Sequence, residues 1–274
     1  MRDTLSILHI SDLHRSKGCE ISNESLLSSL LDDRDSYMAN ENPKIKPPDI
    51  VIVSGDIIRG SNLKDGSEEE VAMQYNEALD FLNQLTMQFL NGDKNRLVVI
   101  PGNHDIDWKY SKESMSKVDS SEIFNGSNYV KSEYLEDAFI EHSKIRWSWK
   151  DISFYRIVDE EKYNKRLEAF SNFYSLLYNG KRTYSLNYKE QFDIFDFPMH
   201  GTTIVAFSSC YSNDHLRHAG DIHPDCIASA CNAIRTYRKK GRLILATWHH
   251  NTKGLPYDST YMDSRKLKNF INAG

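Results

Sequence analysis

Residues 97–105 read LVVIPGNHD, an apolar segment that runs directly into a proline and a polar turn. A short apolar run bounded by turn residues is typical of a buried strand. The stretch predicts a strand over residues 97–100, and that strand delivers Asn103, His104 and Asp105 at its carboxyl end.

Two earlier segments repeat this pattern of an apolar strand followed by polar residues. Residues 5–10 are apolar and lead to Asp12 and His14, and residues 50–53 lead through a glycine to Asp56. Because the carboxyl ends of parallel strands meet at one edge of a sheet, we expect these side chains to lie close together.

The segments between these strands carry apolar residues at helical spacing, over residues 23–40 and 67–90. Strands that alternate with helices predict an α/β fold with a largely parallel sheet. Near the end of the chain, a further strand over residues 243–248 delivers His249 and His250 in the same way.

A second sheet layer is predicted in the last third of the chain. Residues 192–197 and 203–207 have strand character around a turn, which indicates a hairpin. Helices are predicted over residues 224–240 and 263–273.

The middle of the chain, about residues 108–189, lacks clean strand signals and is interpreted as a helical insertion or cap over the sheet. Residues 163–178 fit a helix, and Gly180 fits its end. The many aromatic residues of this region suit either a hydrophobic core or a stacking platform for nucleotides. Aromatic residues at helical spacing favour the core.

Composition excludes several classes of protein. Lysine and arginine number 34 against 39 acidic residues, a net charge of −5, so no overall positive field marks a nonspecific nucleic-acid binder. No apolar run approaches the roughly 20 residues that span a bilayer. The four cysteines lack the close pairing of a structural zinc site, which favours reduced thiols and a cytoplasmic protein without membrane contact.

The strand-end residues have the chemistry of a metal site. Asp12 and His14 are two positions apart, so both side chains leave one face if the backbone is still extended there. Imidazole, carboxylate and amide oxygen together suit manganese, iron or zinc. Asp56, which follows a glycine, is placed to bridge two divalent cations, and such a pair clamps a phosphate and activates a water. His104 is a candidate general acid on the leaving oxygen or a phosphoryl ligand, with Asp105 orienting its ring.

The order Asp-x-His, Gly-Asp, Gly-Asn-His-Asp and His, each after an apolar strand, resembles the calcineurin-like metallophosphoesterase superfamily. The resemblance implies a two-layer β-sandwich flanked by helices and a centre of two divalent metals, with manganese favoured. It also implies roles for single residues: Asp12 and His14 as ligands of the first metal, Asp56 as the bridge, Asn103 and His249 as ligands of the second metal, and His104 as the catalytic histidine.

Residues beside these motifs are expected to contact the substrate. Arg59 suits a bidentate contact with phosphate, although its offset from Asp56 differs from the Gly-Asp-x-x-Asp-Arg pattern of the superfamily's protein phosphatases. Asn103 and His250 are expected to contact the substrate as well. His249 rather than His250 is taken as the ligand because the family's ligand is usually the first residue after the strand.

One motif of the superfamily has no counterpart in residues 1–274. Its final Gly-His-x-His, whose histidines each complete one metal site, does not occur after His250. The expectation is one metallophosphoesterase domain over residues 1–274 that lacks its C-terminal part. Either the protein continues beyond Gly274 and supplies the last two histidines there, or its site is incomplete.

Three functional hypotheses follow. The leading one is a metal-dependent phosphoesterase that prefers phosphodiesters, including nucleic acid or nucleotides, because Gly-Asn-His-Asp also occurs in the superfamily's repair nucleases and nucleotide phosphodiesterases. The second is an N-terminal effector or scaffold module of a larger signalling or defence ATPase. The third is a degenerate, metal-free fold with a regulatory role.

Overall fold

The computed structural model describes residues 4–61, 68–124, 129–137, 143–253, 262 and 264–273. Within these ranges the strands are β1 (Ile7–Ile10), β2 (Ile50–Ser54), β3 (Leu97–Ile100), β4 (Met115–Lys117), β5 (Ile145–Ser148), β6 (Ser153–Ile157), β7 (Phe192–Phe197), β8 (Thr202–Phe207) and β9 (Leu243–Thr247).

The helices of the same ranges are numbered in chain order. They are α1 (Asn23–Asn40), α2 (Glu68–Leu90), α3 (Trp108–Glu113), α4 (Ser120–Ile123), α5 (Ser132–Asp137), α6 (Glu160–Asn164), α7 (Glu168–Leu177), α8 (Pro224–Lys239) and α9 (Lys268–Ala273). Short 3-10 turns lie at Lys94–Arg96, Asn103–Asp105, Lys165–Leu167, Tyr188–Glu190, Pro198–His200 and Ser264–Leu267.

The first sheet has the parallel order β1-β2-β3. All of β2 is buried, as expected for the central strand of a parallel sheet, and Val53 pairs with Ile10 on one side and with Val99 on the other. The carboxyl ends of the three strands therefore lie side by side, and the strands predicted from the sequence are confirmed.

Helices α2 and α7 each bury one face against this sheet. Phe81 and Leu85 of α2 and Phe170 and Leu177 of α7 belong to the same hydrophobic core as the three strands. At the end of α7 the amide of Gly180 donates to the carbonyl of Ser175, and a positive φ of 72° ends the helix as the glycine predicts.

The second sheet has the order β7-β8-β9. β7 and β8 form the predicted antiparallel hairpin around Gly201, and β9 runs parallel to β8 after the crossover through α8. Phe195 and Ile204 of this sheet share one core with the first sheet, while Val205 and Phe207 pack with residues of α8 and α9. The two sheets and their helices give the expected two-layer α/β architecture.

The insertion is not purely helical, which corrects the prediction for residues 108–189. It contains a three-stranded antiparallel sheet in the order β4-β6-β5, with Val118, Ile145 and Phe154 in a small core of its own. These strands have three to five residues, too few for an alternating pattern to stand out in the sequence. The helix predicted over residues 163–178 is divided into α6, a 3-10 turn and α7.

Among the described helices, none is long and apolar enough to cross a membrane.

Candidate metal centre

The loops after β1 and β2 run side by side beyond the ends of their strands. The amide of Asp12 donates to the carbonyl of Gly55 at 3.2 Å, and the amide of His14 donates to the carbonyl of Asp56 at 2.9 Å. These bonds extend the parallel pairing into the loops, so the side chains of both loops are held at the same edge of the sheet.

Three of the predicted ligands have a left-handed backbone. The φ angles are 57° at Asp12, 46° at His14 and 50° at Asp56. A positive φ is uncommon outside glycine, and residues held in it concentrate at functional sites because the surrounding structure must impose it. The strain falls on the residues that the motifs selected.

Asp56 lies at the centre of the site and is almost completely buried. Its Oδ1 is 3.4 Å from Nε2 of His249. Its Oδ2 is 3.8 Å from Nε2 of His14 and 3.9 Å from Nε2 of His104. The two oxygens of one carboxylate therefore face two separate groups of donors.

His249 and Asn103 form the group on the Oδ1 side. Nε2 of His249 lies 3.2 Å from Oδ1 of Asn103, and its Nδ1 donates to the carbonyl of Ser54 at 2.7 Å. Because Nδ1 donates to this carbonyl, Nε2 is directed at Asp56 and Asn103. A backbone acceptor of this kind is how ligating histidines are usually oriented.

His14 and His104 form the group on the Oδ2 side, and Asp12 lies beside His14. Oδ1 of Asp12 lies 3.9 Å from Nε2 of His14, and the Asp12 carboxylate also accepts a hydrogen bond from Ser11. Both side chains are partly exposed, so this side of the site is open to solvent.

The donors fit divalent metal ions by chemistry and by spacing. Two triads have ligand atoms within 4.8 Å of one another: Asp12, Asp56 and His249, and His14, Asp56 and His104. Two ligand atoms that each lie about 2.0–2.2 Å from one ion are separated by less than the 4.8 Å found here. Asp56 belongs to both triads.

The calcineurin-like phosphoesterase family model matches residues 5–271. The chain belongs to this family. A comparison with curated proteins found no match. Membership makes the protein a metal-dependent phosphoester hydrolase by class, and the family generally binds two divalent metals.

His104 of this phosphoesterase faces the centre of the site. Its Nδ1 donates to the carbonyl of Arg59 at 2.7 Å, and its ring packs edge-on against His14 with centroids 4.7 Å apart. The bond to Arg59 sets the ring so that Nε2 is directed at Asp56. His104 is therefore placed next to His14 in the group of donors on the Oδ2 side.

The carboxylate of Asp105, which is predicted to orient His104, makes its hydrogen bonds to other groups. Oδ2 accepts from the amides of Gly102 at 2.8 Å and Ile57 at 3.2 Å, and Oδ1 accepts from the hydroxyl of Tyr75 at 3.1 Å. Asp105 is buried, and burial together with the negative charge of Asp56 raises its pKa to about 7. Its function is to tie the loops after β2 and β3 to helix α2.

The structure does not support His250 as a residue that contacts the substrate. Its side chain is buried, and Nδ1 lies 2.8 Å from the hydroxyl oxygen of Ser209. Burial and the neighbouring His249 lower the pKa of His250 to about 4, so its ring is neutral. Neighbouring residues after a strand point to opposite sides, and only His249 points to the donors.

The side chain of Arg59 is exposed, and a contact with phosphate stays a prediction. The backbone carbonyls of Arg59 and Ser54 each orient a histidine, a role that the motifs do not indicate. Main-chain acceptors of this kind carry no residue signature.

The pKa values of Asp56 and His249 depend on each other. Burial raises the pKa of Asp56, but the hydrogen bond and the charge of His249 outweigh it and lower the pKa below its usual value. The same contact, against the opposing effect of burial, raises the pKa of His249 to about 9. The carboxylate is therefore ionised at neutral pH, as a metal ligand requires.

Gly102 provides the space that Asp56 occupies. A Cβ at this position would lie 2.2 Å from Oδ1 and 2.2 Å from the backbone nitrogen of Asp56. Gly102→Ala is expected to displace the carboxylate and to lower kcat/KM for bis-p-nitrophenyl phosphate by about a hundredfold, the cost of a misplacement near 1 Å. Steady-state kinetics with added Mn²⁺ measures the effect.

Gly18 provides the matched control, because a Cβ there meets no atom within 4 Å. Gly18→Ala is expected to keep wild-type kinetics. A Gly102→Ala enzyme within twofold of wild type would show that the placement of Asp56 described here does not matter for activity.

Proposed function

We propose that this protein hydrolyses phosphodiesters, with nucleic acid or nucleotides as substrates, at a centre of two divalent metal ions. The observation that supports this proposal most directly is the position of Asp56, whose two carboxylate oxygens face separate groups of donors. A carboxylate in this position is suited to bridge two cations.

Five residues would hold the metals: Asp12, His14 and Asp56 on one side, and Asp56, Asn103 and His249 on the other. When bound, two divalent ions polarise the phosphoryl oxygens and lower the pKa of water, so that a nucleophile forms near neutral pH. The nitrogen and oxygen donors are compatible with manganese, iron and zinc, and we propose manganese.

His104 is proposed to protonate the leaving oxygen. Its Nδ1 proton is held by the carbonyl of Arg59, so the second proton of the imidazolium ring resides on Nε2, which faces Asp56. Transfer of the Nε2 proton to the departing alkoxide leaves a neutral imidazole that remains bonded to Arg59. Proton transfer of this kind contributes about a hundredfold to ten-thousandfold to the rate.

The preference for diesters rests on the spacing of Arg59 from Asp56. In the family's protein phosphatases a Gly-Asp-x-x-Asp-Arg pattern places an arginine for the dianionic monoester, and here Arg59 stands at a different offset. A phosphodiester carries one negative charge and requires fewer cationic contacts than a monoester.

The test compares bis-p-nitrophenyl phosphate with p-nitrophenyl phosphate, because both release the same chromophore. We expect Mn²⁺ to restore activity to chelator-treated protein, and kcat/KM to favour the diester by about tenfold or more. Protein that no divalent metal stimulates would contradict the proposal, and a preference for the monoester would contradict the diester part.

We also propose that the protein works in the reducing environment of the cytoplasm. Its four cysteines, Cys19, Cys210, Cys226 and Cys231, are all free thiols. Free thiols are typical of reducing compartments, where disulfides do not persist. Immunoblotting of fractionated cells would test this location.

A further inference from the structure

A tryptophan lies beside His104 and has no part in the metal site. Trp108 is the first residue of α3 and is partly buried. Its ring centroid is 6.4 Å from that of the His104 imidazole, and the two planes are tilted by 34°. The two rings are therefore neighbours that do not stack closely, since a closely packed face-to-face pair has a shorter separation.

His218 stacks on Trp108. The centroids are 5.3 Å apart and the planes differ by 24°. An imidazole is smaller than an indole, so it covers only part of the tryptophan. This contact restrains the plane of the indole.

Hydrogen bonds fix the backbone at Trp108. Its amide donates to the hydroxyl of Ser61 at 3.0 Å, and its carbonyl accepts from the hydroxyl of Ser111 at 2.9 Å. The same Ser111 oxygen lies 2.9 Å from Nδ1 of His215, three residues before His218. Helix α3 and the loop that carries His218 are thus joined at one serine.

A buried ion pair fixes this loop to the insertion. The carboxylate of Asp214, fully buried, accepts from Nε of Arg146 at 2.7 Å and from the hydroxyl of Tyr163 at 2.9 Å. Burial raises the pKa of Asp214, but the charge of Arg146 outweighs it and keeps the carboxylate ionised. A buried pair that is fully hydrogen-bonded holds a loop in one arrangement.

We propose that Trp108, held by His218, contacts the base of the leaving nucleoside and makes the enzyme selective for phosphodiesters whose leaving group carries a planar ring. This inference rests on the proposed function. Because His104 donates its proton to the leaving oxygen, the leaving group lies on the side of His104, where the indole is. Every base has a flat π face, so the contact does not depend on which base the nucleoside carries.

The test uses three compounds. They are dithymidine phosphate, its analogue without the base of the leaving nucleoside, and its analogue without the base of the retained nucleoside. In the wild-type enzyme, loss of the leaving base is expected to lower kcat/KM about tenfold, the usual scale of one base–aromatic contact. Loss of the retained base is expected to have less than a twofold effect. Chromatography of the products identifies which nucleoside leaves.

Trp108→Leu is expected to abolish this dependence on the leaving base, and Trp108→Phe to keep at least half of it. The matched control is Trp149→Ala, because Trp149 is 76% exposed on the insertion. His218→Phe, which keeps a ring to stack, is expected to preserve the dependence, whereas His218→Ala reduces it. Thermal melting of each variant confirms that it folds.

The outcomes separate this inference from the proposed function. If the wild-type enzyme hydrolyses none of the three compounds nor bis-p-nitrophenyl phosphate with any metal, the proposed function is wrong. If it hydrolyses phosphodiesters without regard to the leaving base, or if Trp108→Leu lowers the rates of all three compounds equally, the function stands and the role of Trp108 is wrong.

Discussion

Asp56→Asn is expected to lower kcat/KM for a phosphodiester by about a thousandfold, which corresponds to roughly 4 kcal/mol of transition-state stabilisation. Asparagine keeps the side-chain oxygen that accepts a hydrogen bond from the amide of His104 at 2.8 Å, so the loop should retain its shape. It removes the negative charge and one of the two oxygens that face the two groups of donors. Kinetics over a range of Mn²⁺ concentrations should show that excess metal does not restore the rate.

The matched control is an aspartate at the opposite end of the same strand. Asp49 directly precedes β2, accepts from the amide of Ser6 at 2.8 Å and pairs with Lys46 at 2.8 Å. Asp49→Asn should therefore affect thermal stability more than kcat/KM. If Asp56→Asn keeps activity within tenfold of wild type, Asp56 does not bridge two metals.

His104→Ala is expected to lower kcat by about a hundredfold to ten-thousandfold for substrates with an alkoxide leaving group. An alkoxide is a strong base that must be protonated as it departs, whereas p-nitrophenolate departs without a proton. The loss should therefore be smaller for bis-p-nitrophenyl phosphate than for a dinucleotide. Comparing the two substrates measures the acid role separately from any effect on binding.

His104 also belongs to one of the two triads with metal-ligand spacing, so the same variant tests a ligand role. If His104 is the acid, His104→Ala should keep the wild-type metal content. A lost ion together with equal rate losses for both substrates would show that it is a ligand instead. His200→Ala serves as the control, because His200 lies on the β7–β8 turn, where its contact is with Asp49.

The strand ends could be predicted from the sequence because their signal is local. An apolar run that stops at Gly-Asp or Gly-Asn-His gives both the strand and the residue it delivers, and β3 begins and ends where the pattern indicates. The parallel order of the first sheet then brings Asp56 and Asn103 together. His249 follows β9 of the second sheet and joins them only through the packing of the two sheets. Because the signals are local, the family model and the motifs agree over nearly the whole chain.

The hydrogen-bond partners of the side chains at the strand ends could not be predicted, since they depend on tertiary contacts. Asp105 stands next to His104 in sequence, but its side chain points into the core, where Tyr75 and two backbone amides bind it. His250 likewise follows His249 but is buried against Ser209. Adjacency in sequence indicates which loop a residue belongs to, and the direction of its side chain depends on the fold.

The insertion is the part least predictable from the sequence, because its strands are short and its contacts are distant in sequence. Arg146 and Asp214, which form a buried ion pair, are 68 residues apart, and Trp108 and His218 are likewise distant in sequence. Neither residue lies in a motif. The sequence indicates that Trp108 lies near the site only through its position, three residues after the Gly-Asn-His-Asp stretch.

The central claim is that Asp56 joins two metal sites, and the metal content of the protein tests it most directly. Purified protein loaded with Mn²⁺ and freed of excess ion should contain about two ions per chain by mass spectrometry of the metal. Asp56→Asn should bind fewer ions under the same conditions. Active wild-type protein with a single ion per chain, or an Asp56→Asn variant that retains two, would contradict the account.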